Sequence, residues 1–205
     1  GGNDYLAGQA GDDVVNGGSG DDTLIGAAGA DTLTGGSGDD LIYAGDPTKD
    51  VIDGGSGHDV LSFALAAHGV STQNVDFLAF RGIEELVGSD FADTLSALGQ
   101  DSKINGGGGD DRLTGGRDQV VITLAGGSGD DTIHGYQASL MGGAGKDVLD
   151  GRLNTMNGGA GSDELRPEAF LTAILQFDES ARHGRDLIVG LQNYHTMDLS
   201  RIDAD

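Results

Sequence analysis

The sequence predicts an all-β fold in which short strands stack turn upon turn into a solenoid, closed at its C-terminal end by a cap of ordinary strands. Three observations carry this expectation: a nine-residue rhythm of Gly and Asp over most of the chain, one large aliphatic at a fixed place in each nine, and the loss of that rhythm after residue 166. A rhythm of this length marks a repeat architecture, in which a unit buries too little surface alone and gains its core from its neighbours.

Composition narrows the function before any motif is read. The 205 residues include 39 Gly, 34 Asp plus Glu and 11 Lys plus Arg, for a formal net charge of −23. Hydrophobic residues make up 37%, so the core must be thin. Nucleic-acid binding and binding to anionic membranes are excluded, because both need Lys and Arg to release counterions. Cations are the natural partner. Without Cys there is no disulfide, thiolate ligand or thiol nucleophile. No apolar run reaches the roughly 18 residues of a membrane span, so this segment is not expected to insert into a membrane. No leader-like segment precedes the first repeat, and the chain, opening at Gly1 inside a repeat, reads as a soluble fragment.

The first block covers residues 1–62. A partial unit, Gly2-Asn3-Asp4-Tyr5-Leu6-Ala7, precedes unbroken nines at Gly8 to Asn16, Gly17 to Ile25, Gly26 to Thr34 and Gly35 to Tyr43. After Ala44, a degenerate unit from Gly45 to Asp53 leads into Gly54 to Ser62. Residues 63–87 form a connector, in which Val75–Phe80 alternates like a strand. The second block, residues 88–166, begins with the degenerate loop Gly88 to Asp93 and contains Gly106 to Thr114 and the loops Gly126 to Asp131, Gly142 to Asp147 and Gly158 to Asp163. An aliphatic follows two positions after the last Asp of each.

The unit is G-G-x-G-x-D-x-U-x, with U a large aliphatic. Repeated in tandem over most of residues 1–166, it resembles the RTX (repeats-in-toxin, haemolysin-type) calcium-binding family. The resemblance implies a parallel β-roll, a calcium-binding solenoid with two repeats per turn, in a protein secreted through a type I machinery. Gly82 to Leu95 resembles the connector at which such rolls restart, and Asp198 to Ala204 is similar to the closing segment of serralysin-type C-terminal domains.

The chemistry of the unit supports the same reading. Six Gly-rich residues make a loop that can take φ > 0 and turn its carbonyls inward, and the next three make a short strand. Leu24, Leu33, Ile42, Ile52, Leu61, Leu113, Ile133, Leu149 and Leu165 would then form an internal ladder, joined by Leu140 and Met156. With two repeats per turn, the Asp of one repeat lies about 4.8 Å from the Asp two repeats on. Like charges at that distance cost roughly 1 kcal/mol per pair in water and several at an effective dielectric of about 20. Summed over the stack, this can exceed the roughly 5–15 kcal/mol that holds a domain together.

A hard divalent ion between loops reverses the sign, because two carboxylates and several loop carbonyls offer the six or more oxygens that Ca²⁺ accepts in variable geometry. Mg²⁺ demands a stricter octahedron. Extracellular calcium modules work at about 10⁻⁴–10⁻³ M, so the chain is expected to be unfolded in a low-calcium cytosol and folded outside the cell. The candidate ligands are Asp4, Asp13, Asp22, Asp31, Asp40, Asp50, Asp59, Asp93, Asp111, Asp131, Asp147 and Asp163, with Gly17, Gly35, Gly54, Gly106, Gly126, Gly142 and Gly158 at the heads of the best-formed loops.

Spacing places these groups. Loops beginning at 17, 35 and 54 fall on one side of the roll and those at 8, 26 and 45 on the other. In the second block, loops at 106, 126, 142 and 158 alternate with Asp-free half-turns at 115, 135 and 151, so calcium should line only one side there. Asp118 is out of register, with Val120 at the usual ligand position. About eight inter-loop ions are expected, fewer if the degenerate loops at 45 and 88 do not bind. Within a doublet such as Asp21-Asp22, the second Asp is the ligand and the first an exposed partner.

From Pro167 onward, Ala173–Phe177, Asp186–Val189 and Met197–Leu199 read as the strands of a cap over residues 167–205. No catalytic residue is expected. His58, His68, His134, His183 and His195 lack H-E-x-x-H spacing, no G-x-S-x-G elbow occurs, and Gly145-Lys146 runs into Asp147 rather than a phosphate loop. Glu84, Glu85 and Glu164 are read as solvated. Two alternatives remain. The roll could bind an acidic polysaccharide or a cell surface through Arg112, Arg117, Arg152 and Arg185, as in epimerase modules, surface-layer proteins or adhesins, or it could be the C-terminal part of a secreted protease or lipase.

Overall fold

The computed structural model describes residues 1–45, 48–73, 80–97, 103–115, 122–152, 155–168, 174–176 and 187–188, and it is all-β, with every strand pair parallel and no helix among the described residues. Nine-residue units alternate between two facing sheets, so strands two units apart become neighbours.

One side is a ten-stranded sheet of Tyr5–Ala7, Thr23–Ile25, Leu41–Tyr43, Val60–Ser62, Glu85–Val87, Lys103–Gly108, Ile122–Ser128, Ala138–Gly145, Thr155–Gly161 and Ile174–Gln176. The other side consists of two sheets. Val14–Ser19, Thr32–Ser37, Val51–Ser56 and Phe80–Arg81 form the first; Thr94–Ser96, Arg112–Gly115, Thr132–Tyr136, Val148–Arg152, Glu164–Pro167 and Leu187–Ile188 form the second.

The core is a double file of aliphatics. Leu24, Ile42, Leu61, Leu86, Ile104, Leu124, Leu140 and Met156 stand in register on the ten-stranded sheet. Opposite them run Leu33 and Ile52, then Leu95, Leu113, Ile133, Leu149 and Leu165. Each aliphatic that the spacing turned inward is at most 1% exposed, a burial of about 1.5–3 kcal/mol per side chain. Leu86, Leu95, Ile104 and Leu124 join them.

The connector shows why one side is split. Val60–Ser62 pairs directly with Glu85–Val87, so the ten-stranded sheet crosses the connector without a break. On the facing side, Phe80–Arg81 closes against Val51–Ser56, while Ser71 bridges to Thr94 at the start of the next sheet. Thr94 N–H donates to the Val70 carbonyl (2.8 Å) and Thr72 N–H to the Thr94 carbonyl (2.9 Å). Two segments thus enter where an ordinary turn supplies one, and buried Phe63 and Val70 fill the added width. Of the strand expected at 75–80, only Phe80 lies within the described residues.

The C-terminal strands continue the stack. Leu175 aligns with Met156 and Ile188 with Leu165, so the described pieces extend the two sheets in parallel as a further turn. Their sequence has lost the Gly-Asp loop. The strand expected at Met197–Leu199 and the closing segment from Asp198 to Ala204 lie outside the described residues, as do Asp118, Val120, Arg117, Arg185, His183 and His195.

Candidate metal centre

The alternation of units gathers the acids into two columns, one along each edge of the roll. The first holds Asp4, Asp22, Asp40 and Asp59; the second holds Asp13, Asp31 and Asp50 and resumes beyond the connector with Asp93, Asp111, Asp131, Asp147 and Asp163. Among the described residues of the second block the repeat acids occupy one edge. The opposite edge is carried by Gly115, Gly135 and Gly151, stacked in register.

Within a column each backbone N–H donates to Oδ1 of the acid one turn later, as in Asp22 to Asp40 (2.8 Å), Asp40 to Asp59 (2.9 Å) and Asp131 to Asp147 (2.9 Å). These side chains are buried, apart from the exposed Asp4 and half-buried Asp13 at the N-terminal end. Oδ2 of Asp13, Asp22, Asp31, Asp40, Asp59, Asp111, Asp131 and Asp147 is buried with no hydrogen-bond partner. An unsatisfied buried polar atom costs about 1–3 kcal/mol, more if charged.

The first Gly of each loop explains where that oxygen points. A β-carbon at Gly17 would collide with Asp22 Oδ2 and the Gly35 carbonyl oxygen. The same pair of obstacles stands over Gly35 (Asp40, Gly54), Gly106 (Asp111, Gly126), Gly126 (Asp131, Gly142) and Gly142 (Asp147, Gly158), while Gly158 faces Asp163. A carboxylate oxygen and a carbonyl from the next turn therefore converge on Gly17, Gly35, Gly106, Gly126 and Gly142.

Burial, reinforced by the like charges of Asp131, Asp93 and Asp110, pushes the Asp111 carboxyl up to about 7, against the lowering effect of the Asp93 N–H. Burial likewise raises Asp147 to about 7 and Asp131 to about 6, and pushes Asp40 and Asp59 upward. A cation in place of the proton would satisfy the same oxygens. Among the described residues no three acidic or His side chains converge on one point, so an ion here would draw its remaining oxygens from backbone carbonyls, a donor set that suits Ca²⁺.

The degenerate loops differ in this respect. Asp50 Oδ2 accepts the Gly45 N–H (3.2 Å), and Asp93 Oδ2 accepts the Ser89 N–H (2.6 Å) while the Ser89 hydroxyl donates to Asp93 Oδ1 (2.9 Å). Both carboxylates are already satisfied by their own loops.

Two features went unread in the sequence. The outer Asp of each doublet is exposed, as expected, yet it also forms a ladder of opposite sense: Asp21 Oδ1 accepts from Asp39 N–H (3.0 Å), Asp39 from His58 (2.8 Å), Asp110 from Asp130 (2.8 Å) and Asp130 from Lys146 (2.8 Å). The equal spacing of the two Asp residues was its only signal. The glutamates read as solvated are engaged: Glu85 pairs with Lys103 (2.7 Å), Glu164 with Arg166 (2.7 Å), and Glu84 accepts the Asp59 N–H (2.9 Å).

Fold and site together define a parallel β-roll with acid-lined edges suited to hard cations. The model of the RTX calcium-binding nonapeptide repeat (4 copies) matches residues 1–33, 16–46, 47–63, 87–122, 123–138 and 139–165. The chain belongs to this family, whose nonapeptide repeats bind Ca²⁺ as a structural module. No curated protein matches the chain.

Proposed function

We propose that Ca²⁺ ions sit between successive loops of both columns, held by Asp4, Asp13, Asp22, Asp31, Asp40, Asp59, Asp111, Asp131, Asp147 and Asp163 together with loop carbonyls around Gly17, Gly35, Gly54, Gly106, Gly126, Gly142 and Gly158. Asp50 and Asp93 contribute more weakly, since their carboxylates already take hydrogen bonds within their own loops. The buried, unpartnered Oδ2 atoms carry this reading.

The chain is then the calcium-binding region of a secreted bacterial protein. Buried carboxylates stacked in columns disfavour the roll where calcium is scarce, which suits export in the unfolded state through a type I machinery, followed by folding on extracellular Ca²⁺. Far-UV circular dichroism of the 205-residue chain during a Ca²⁺ titration, with Mg²⁺ as control, tests it. A cooperative coil-to-β change with Ca²⁺ alone is expected; full β-structure in chelator at neutral pH would overturn it.

A second reading, recognition of an acidic polysaccharide or a cell surface, has one observation behind it: Arg112, Arg152 and Arg166 are exposed on strands of one sheet. Against it, Arg166 is paired with Glu164 and the neighbouring His134 with Asp150. Glycan-array binding in excess Ca²⁺ separates the two readings, and a blank array removes the second.

A further inference from the structure

The first acid column does not end with the last repeat of its block. Val60 aligns with Glu85 across the connector, so Glu84 falls in register with Asp59. The hydrogen bonding agrees. Asp59 N–H donates to Glu84 Oε2 (2.9 Å), as Asp40 N–H does to Asp59 Oδ1 (2.9 Å). Lys103 N–H donates to the Glu84 carbonyl (2.8 Å), as Val60 N–H does to the carbonyl of Asp40 (2.8 Å).

Gly82 supplies the other half of the pattern. A β-carbon at Gly54 would collide with the Gly82 carbonyl oxygen and lie 2.6 Å from Asp59 Oδ2, the same convergence of carbonyl and carboxylate found one turn earlier over Gly35. Asp59 is fully buried, and its Oδ2 has no hydrogen-bond partner. The segment Gly82-Ile83-Glu84 therefore does the work of a six-residue loop with three residues. Gly82 makes the sharp reversal at φ +56°, and the extra methylene of Glu reaches where the longer loop carries Asp.

We infer that Gly82 and Glu84 complete a further Ca²⁺ site with the loop Gly54 to Asp59, so that a non-repeat segment closes the first column. The family match stops at residue 63 and resumes at 87, leaving both residues outside it. The site rests on the calcium reading above and extends it to residues that carry no motif.

Ca²⁺ uptake by the full chain, measured by flow dialysis for wild type, E84Q and E85Q, tests the assignment. E84Q keeps an oxygen able to accept the Asp59 N–H but loses the charge. It should bind one ion fewer, or bind one about tenfold more weakly, while E85Q matches wild type. An E84Q isotherm superimposed on that of wild type overturns the site and leaves the other loops untouched. A wild-type chain that takes up no Ca²⁺ overturns the calcium reading itself and this site with it. Should E84Q fail to fold, anomalous diffraction from Tb³⁺-loaded wild-type crystals decides: a peak between Asp59 and Glu84 is expected, and peaks confined to the loops at Gly17 and Gly35 would refute it.

Discussion

The Asp111 N–H lies 2.8 Å from Asp131 Oδ1, while Oδ2 of that carboxylate is buried without a partner. One oxygen fastens the turn before it and the other is the atom that the proposed calcium site would use. Its neighbour Asp130 is exposed and accepts the Lys146 N–H (2.8 Å). D131N, which puts an amide in the place of Oδ2, should raise the calcium midpoint for folding about tenfold, whereas D130N should stay within about twofold, as an exposed site allows. Equal shifts in a Ca²⁺ titration followed by circular dichroism would contradict the division of labour.

The loop glycines predict substitutions of opposite sign. Gly126→Ala drives a methyl into Asp131 Oδ2 and the Gly142 carbonyl oxygen and should destabilise the calcium-loaded chain by about 2 kcal/mol or more. Ala27 stands where the motif has its second Gly, at φ +71°, so Ala27→Gly should stabilise by about 1 kcal/mol. Urea unfolding at saturating Ca²⁺ measures both.

The raised acids give a pH dependence that calcium removes. Asp111 and Asp147 rise to about 7 and Asp131 to about 6, chiefly through burial, so the metal-free fold binds more protons than the unfolded chain. That contribution is complete below the unfolded pKa of about 4 and disappears as pH rises through about 6–7. In chelator, β-structure should therefore be greater near pH 5 than near pH 8. With Ca²⁺ bound these carboxylates are ionised, as they are in the unfolded chain above about pH 5, so folding onto Ca²⁺ exchanges few protons and the calcium midpoint should change little between about pH 6 and 8. A chelated chain equally unfolded at about pH 5 and pH 8 would refute the coupling.

Ser89 predicts a loop that does not depend on metal. Its hydroxyl and N–H already satisfy Asp93. Ser89→Ala should cost about 0.5–1.5 kcal/mol in chelator at low pH, and part of that loss should be recovered by added Ca²⁺. Hydrogen exchange of the Gly88 to Asp93 amides is the readout, and protection that is unchanged in the variant would refute the role of the hydroxyl.

Much of this was legible because the repeat couples identity to place. Leu24, Leu33 and Ile42 had to face inward once the period was nine, and Asp22 and Asp40 had to share an edge once strands two units apart were neighbours. Glu84 was hidden because its three-residue segment breaks the spacing and a longer side chain makes up the difference. The bridge of Ser71 to Thr94 was equally hidden, since no pattern in the connector distinguishes which sheet a segment will join. The reversed ladder through Asp21 and Asp39 could not be separated from solvation, because recurrence treats both members of a doublet alike.

Each acid in the first block answers to a residue 18 or 19 positions away, which allows only certain deletions in the chain. Removing residues 17–34 takes away a whole coil and leaves Asp4 facing Asp40. Removing residues 26–34 alone would carry every later unit to the opposite edge and bring Val60–Ser62 to the wrong side of a connector that accepts it on one side only. The connector thus fixes a parity, and the first block can lengthen or shorten only by even numbers of repeats.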